Sequence, residues 1–167
     1  PYKLETALLH FEDKRFYQHP GVDIRAVLRA LYQNIKNWDV VSGASTITMQ
    51  VARLMQPKPR TVPNKIREML QSLRIELIYD KKEILKQYLL HAPYGANIIG
   101  YRAAAMKYFG KKPKYLSWAE AATLAVLPKS PGSITPLHNS ERLRERRDKL
   151  LDSLRDAGKI DVTTYQL

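Results

Sequence analysis

The sequence contains no cysteine. That excludes a disulfide framework, thiolate metal sites and cysteine-nucleophile chemistry, while leaving the compartment open. Long apolar runs are also missing: the longest nearly uncharged apolar run, Ala121 to Leu127, is far short of the roughly 20 residues that span a bilayer. No transmembrane helix is therefore expected within it. Acidic residues are scarce, 16 against 28 Lys+Arg, which leaves a net charge of +12. Neither an initiator Met nor a signal peptide precedes Pro1, so the expectation is a domain excised from something longer. What is present suffices for a fold. A chain of 167 residues, 44% of them hydrophobic, is long enough to bury a real core and is no disordered basic tail.

Net positive charge alone points to any anionic partner: nucleic acid, lipid head groups or a phosphorylated substrate. Its distribution is more telling. Residues 51 to 115 hold 14 Lys+Arg against only Glu68, Glu76, Asp80 and Glu83, so this stretch carries +10 of the +12. The segment Glu141 to Arg155 is charge-rich but mixed in sign, as a solvated helix face should be.

Periodicity reads mostly as helix. Leu4, Ala7, Leu8 and Phe11 repeat at helical spacing before the breakers His19-Pro20-Gly21. Asp23 to Ile35 is apolar over much of its surface, studded with Arg25 and Arg29 and followed by Trp38. Ser42 to Thr46 reads as a loop into a helix through Leu54, and Pro57, Pro59 and Pro63 as a stiff connection. A long helix then carries Ile66, Met69, Leu70, Leu73 and Leu77 on one face, with a break near Asp80 and a further helix through Leu90. Pro93 to Gly100 is loop-like and Tyr101 to Phe109 helical. Ser117-Trp-Ala-Glu120 matches a capping box before an Ala/Leu-rich helix ending at Pro128. Lys129 to Pro136 is turn-rich, and Ser140 to Ala157 is amphipathic with Gly158 after it. With no repeats and no β-alternation, the expectation is a single all-α domain over residues 1–167.

Three segments carry chemistry. In Glu12-Asp13-Lys14-Arg15-Phe16-Tyr17-Gln18-His19-Pro20-Gly21, Glu12 lies about 40° beyond Leu8 at the border of the apolar stripe, and Asp13 points away from it. A carboxylate there is either a half-desolvated proton carrier or a boundary residue paired with Lys14 or Arg15. In Gly43-Ala-Ser-Thr-Ile-Thr-Met-Gln50, small hydroxyl residues at a helix start form either an oxygen-binding nest or an ordinary cap, but not a P-loop. In Arg60 through Glu68, Glu68 falls about 200° from Ile66, opposite the apolar stripe, and so faces water or a water-filled cleft. Two carboxylates in a domain crowded with cations suit glycosyl chemistry.

In order, the chain reads Glu-Asp-x-x-Phe-x-x-His-x-Gly, Gly-Ala-Ser-Thr-Ile-Thr-x-Gln, Lys-Ile-x-Glu, Ile-Leu-x-x-Tyr-Leu and Tyr-Gly-x-Asn…Ala-Ala…Tyr-Phe-Gly-Lys. From about Leu4 to Leu167 this closely resembles the family 51 glycosyltransferase domain, the peptidoglycan transglycosylase module of bifunctional class A penicillin-binding proteins. Ala92 to Asn97 and Trp118 to Pro128 are most like its 1C type. The resemblance implies a lysozyme-like helical fold with a membrane-facing jaw, here approximately residues 22–42. It implies polymerisation of lipid II into β-1,4 glycan strands, with inversion and release of undecaprenyl pyrophosphate. It further implies a place on the outer face of the bacterial cytoplasmic membrane, through an anchor helix and jaw contacts with anionic lipid. A transpeptidase domain in the full-length chain and sensitivity to moenomycin-type inhibitors are also implied.

Residue by residue, Glu12 matches the first family Glu, the general base for the acceptor hydroxyl. Glu68 matches the second, which supports the donor directly or through a divalent Mg or Mn ion; no organic cofactor is implied. Ser45, Thr46 and Gln50 match donor-site positions. Arg53 stands where Lys is usual and, with Arg60 and Lys65, would steady the pyrophosphate. Asp13, Phe16 and His19 match cleft positions of the first motif, and Asn97 joins the substrate-binding set. Met49, Leu54, Asn64 and Leu90 depart from the family pattern, which keeps a catalytically impaired membrane-surface scaffold as an alternative. A lysozyme-like hydrolase would share the first Glu, but it has no need of a basic pyrophosphate site. A nucleic-acid module would bind DNA with strong salt dependence and ignore both Glu residues; no nucleic-acid partner is expected.

Overall fold

A computed structural model of the chain describes residues 1–38, 43–95, 97–129 and 139–161. Ser42, the end of the expected jaw (39–42), Ala96, most of the expected turn-rich segment (130–136) and residues 162–167 lie outside the described residues. Among the described residues there are eight α-helices, three 3₁₀ turns and no strand beyond one isolated bridge between Pro93 and Ile99. The all-α expectation holds. The chain divides into two compact units, one of residues 1–14 and 89–167 and the other of residues 15–88.

The first unit is built around α7 (Trp118–Val126), which packs on α1 (Tyr2–Glu12), α6 (Tyr101–Phe109) and α8 (Ser140–Asp156). Every residue of α7 from Ala121 to Val126 is buried, as expected for a helix apolar on all sides. Its three buried alanines let neighbouring helices approach closely. The capping box is formed: Ser117 Oγ accepts from the Glu120 amide at 3.2 Å, and Glu120 Oε2 accepts from the Ser117 amide at 2.8 Å. Around it, α1 buries Leu4, Ala7 and Leu8, while α8 buries Leu143, Leu150, Leu151 and Leu154. Residues 92–95 and 97–100 are tied together through Tyr94 N–H to Ile98 O and Gly100 N–H to Ala92 O. Gly100 is required there: its φ is +84° and a Cβ would stand 2.6 Å from the Leu90 carbonyl oxygen.

The second unit holds α2 (Ile24–Asn37), α3 (Ile47–Met55), α4 (Val62–Ile78) and most of α5 (Lys81–His91), with α3 packed on α4. Here one expectation is reversed. The periodic stripe of α4 faces outward: Ile66, Leu70, Leu73 and Leu77 are exposed, Leu77 by 86%. Glu68, expected to face water or a water-filled cleft, is buried in α4 together with Ser72. Periodicity reports which residues share a face, not which way the face points. The same holds for α2, where Ile24, Leu28, Leu31, Tyr32 and Ile35 are all exposed and only Ala30 is buried. Trp38 ends α2 in the left-handed conformation and is 95% exposed.

Asp13 is a second correction. It was expected to point away from the core, yet it is buried. The helix stops at Glu12, and Asp13 takes φ −157° and ψ 75°, so helical angles no longer govern its direction. The 3₁₀ turns at Phe16–Gln18, Pro113–Tyr115 and Leu127–Lys129 were not foreseen, being too short to leave a periodic signal.

Candidate active site

The second unit assembles most of the expected site residues. Thr46 is the N-cap of α3: its hydroxyl accepts from the Met49 amide at 3.1 Å and donates to the Gly21 carbonyl at 2.5 Å. Gly21 has φ +95°, and a Cβ there would stand 2.7 Å from the Ser72 carbonyl oxygen. The turn after His19 is thus tied to the start of α3 and leaned against α4.

At the centre lies a carboxylate held by cations. Arg53 on α3 donates through Nε and one terminal nitrogen to the two oxygens of Glu68 on α4, both at 2.7 Å. Lys65, one turn before Glu68, has its ammonium 3.8 Å from the same carboxylate and donates to the Ser45 hydroxyl. Burial pushes the Glu68 carboxyl upward, but the Arg53 hydrogen bonds and charge, then Lys65 and Arg60, outweigh it and hold it below the usual range. Arg53 is raised by the Glu68 hydrogen bond. Lys65 is lowered, first by burial and then by the Arg53 and Arg60 charges against the pull of Glu68. Arg60 is exposed in the proline-rich connection before α4, close enough to act on both Lys65 and Glu68. Gln50 accepts from the Tyr88 hydroxyl at 3.2 Å.

The first-motif segment is clamped within the same unit. Phe16 is buried, with the Lys81 ammonium 4.4 Å from its ring centroid. Lys81 also donates to the His19 carbonyl and to Glu76, both at 2.7 Å, and Glu76 accepts from the Thr48 hydroxyl at 2.6 Å. Arg15 grips both oxygens of Asp23 at 2.6 and 2.7 Å, while Asp23 caps α2 through the Ala26 amide. Burial pushes the Asp23 carboxyl up; the Ala26 amide and Arg15 overcome this and hold it below its usual range. These supports were missed from sequence. Glu68, Ser72 and Glu76 recur every four residues, and that polar stripe was the available signal.

Glu12, Asp13 and Asn97 belong to the first unit. Glu12 is the last residue of α1, half-buried, with Oε1 sealed from solvent. Asn97 is exposed in a turn at φ +60°. Of the family departures, Met49 is wholly buried, Leu54 and Leu90 are half-buried, and Asn64 donates through its side-chain amide to the Pro59 carbonyl at 2.9 Å.

The result is a buried carboxylate pinned by a bidentate Arg, beside a second cation and a hydroxyl. The family model named Transglycosylase matches residues 1–155, and the chain belongs to that family. It is 44% identical over 152 residues to penicillin-binding protein 1C of Escherichia coli, covering 91% of this chain and 20% of that one. A Cupriavidus necator protein named as a transglycosylase is 40% identical over 166 residues, covering 99% of this chain and 71% of that one. The crystal structure of penicillin-binding protein 1A from Haemophilus influenzae covers 72% of this chain and 15% of that one, at 28% identity and a TM-score of 0.49. The chain spans about a fifth of the length of the penicillin-binding proteins it matches. No helix among the described residues is long and apolar enough to cross a membrane.

Proposed function

We propose that this chain is a peptidoglycan glycosyltransferase that polymerises lipid II into β-1,4 glycan strands and releases undecaprenyl pyrophosphate. The observation that carries the reading is the Arg53–Glu68–Lys65 cluster with Ser45. A diphosphate leaving an oxocarbenium-like centre gathers negative charge in the transition state, and cations held in place beforehand stabilise it without reorganising. Arg matches phosphate oxygens in pairs, and Glu68 keeps Arg53 oriented for that task. Being held ionised by Arg53, Glu68 is poorly suited to take a proton.

The family match supports Glu12 as the group that takes the proton. Its carboxylate takes the hydrogen of the acceptor 4-hydroxyl as that oxygen bonds to the donor's anomeric carbon, on the face opposite the leaving group. The bond from the anomeric carbon to the diphosphate oxygen breaks, and its electron pair leaves with the diphosphate, so configuration inverts. Asp13, Phe16, Thr46, Gln50 and Asn97 are assigned to shaping the substrate cleft, and Arg60 to the diphosphate.

The divalent ion expected beside Glu68 fits the site poorly. Both Glu68 oxygens accept from Arg53, and no three His, Asp or Glu side chains converge as a metal site among the described residues. No step is routed through a metal, and polymerisation with and without EDTA tests the point. The outward apolar face of α2, with Arg25 and Arg29 beside it, supports a jaw lying in an anionic membrane interface. That contact belongs to the outer face of the cytoplasmic membrane, where lipid II is displayed.

Labelled lipid II and polymeric glycan, offered separately, test the reading. Glycan polymer from lipid II and no cleavage of finished strands is the expected result, blocked by moenomycin. Glu12→Gln should abolish polymer while melting normally. Full polymerisation by folded Glu12→Gln would remove Glu12 as the base, and strand cleavage in place of polymerisation would make the chain a hydrolase.

A further inference from the structure

A cavity of about 350 Å³ opens in the first unit between the end of α1 and one face of α8. Helix α8 contributes Arg146, Lys149, Leu150 and Ser153, spaced as one helical face. From α1 and just past it come His10, Phe11 and Lys14, and Lys129 closes the rim with its ammonium 5.1 Å from the Phe11 ring centroid. Lys14, Lys129 and Lys149, with Arg146 beside them, thus line one small hollow, and among the described residues no Asp or Glu lines it. Among the α8 carboxylates, Asp148 pairs with Arg147 at 2.6 Å and Asp152 with Arg155 at 3.3 Å. Inside the cavity, His10 Nε2 and Ser153 Oγ lie 2.8 Å apart, a polar pair beside an apolar floor of Phe11 and Leu150. Burial and the Lys14 and Lys159 charges push His10 down, which registers the positive field at this spot.

Gathering like charges around a concave surface is unfavourable until an anion enters, and a cleft of one sign focuses the field on such a guest. The volume exceeds what a small inorganic ion fills and lies in the range of ligand pockets. On α1, His10 points about 160° away from Glu12, so this cavity is separate from the residues assigned to proton transfer. We propose that it is a binding site for a phosphate-bearing ligand, the chemistry shared by a soluble diphosphate and a phospholipid head group. The proposal is independent of the transferase reading, since none of its residues was assigned to that reaction.

Proton–nitrogen NMR of the chain, following the His10 ring and the Ser153 amide, tests it. Inorganic pyrophosphate should shift both signals saturably, at concentrations where sodium chloride of equal ionic strength does not. Lys149→Glu and, separately, Lys14→Glu, both exposed positions, should weaken the effect by about tenfold or more. Lys65→Ala, in the other unit, should leave it intact, which separates this site from the catalytic cations. In a second arm, phosphatidylglycerol vesicles are compared with phosphatidylcholine vesicles. A shift at His10 with the former, lost in Lys149→Glu, assigns the ligand to a lipid head group; a response to pyrophosphate alone assigns a soluble one. No saturable shift with either probe, or an undiminished shift in both charge-reversed variants, would overturn the proposal.

Discussion

In residues 1–14 and 89–167 the apolar side chains face inward: α7 is buried along Ala121 to Val126, and α1 and α8 give it their leucines. Residues 15–88 also bury a core, with Phe16, Ile47, Met49, Ile84 and Tyr88 inside, but the outer faces of α2 and α4 are sorted differently. Leu28, Leu31, Tyr32, Ile66, Leu70 and Leu77 face out, while Asp23, Thr46, Thr48, Glu68 and Ser72 are buried. The first arrangement is what water imposes on an amphipathic helix. The second is unfavourable in water on both counts unless the outer face meets an apolar surface and the inner polar groups are paired. The inner groups are paired, Glu68 by Arg53, Asp23 by Arg15 and Thr48 by Glu76. The first unit is thus held by its apolar core, whereas the second combines an apolar core with buried polar groups that are paired inside it.

Four substitutions sharpen that contrast. Leu124→Ala, in the packed centre of the first unit, should cost the most, about 3–5 kcal/mol by urea unfolding; a loss below about 1 kcal/mol would mean α7 is not the core. Glu68→Ala strands Arg53 and should cost about 2–3 kcal/mol. It also changes the pH profile. Because Glu68 is held below its ordinary value of 4.5, its contribution is fully present above that pH and lost as pH falls through the lower folded value. Wild type should therefore weaken below about pH 4.5 more steeply than Glu68→Ala does, by the same unfolding measurement. Gly21→Ala should cost about 1–2 kcal/mol, through its left-handed φ and the approach to Ser72, read as a lowered Tm. Leu77→Ala should change stability by no more than about 0.5 kcal/mol despite removing a leucine; a core-sized loss would show that this face of α4 is covered.

What was legible in the sequence follows the same division. In the first unit, the Ser117–Glu120 capping box, the Ala/Leu-rich α7 and the amphipathic Ser140 to Ala157 stretch could be read directly, because local signals and burial agree there. In the second unit, the helix at Ile66 to Leu77 was legible but its orientation was not: the outward solvent is not encoded in the spacing. Glu68 and Arg53 were both singled out by motif, whereas their pairing with each other was not. Arg53 lies 15 residues away on another helix, and such pairing is a product of tertiary packing. Asp13 was misdirected by helical angles applied one residue past the helix end. The cationic cavity between α1 and α8 joins residues more than 130 positions apart, which no local pattern signals.

The central claim is that Arg53, oriented by Glu68, meets the departing diphosphate. The direct measurement is the initial rate of lipid II polymerisation by Arg53→Ala and Arg53→Lys, each with its folding verified by circular dichroism. Arg53→Ala should lose about a hundredfold in rate, and Arg53→Lys should recover part of it, since it restores the charge without the paired geometry. Wild-type rate in folded Arg53→Ala would contradict it.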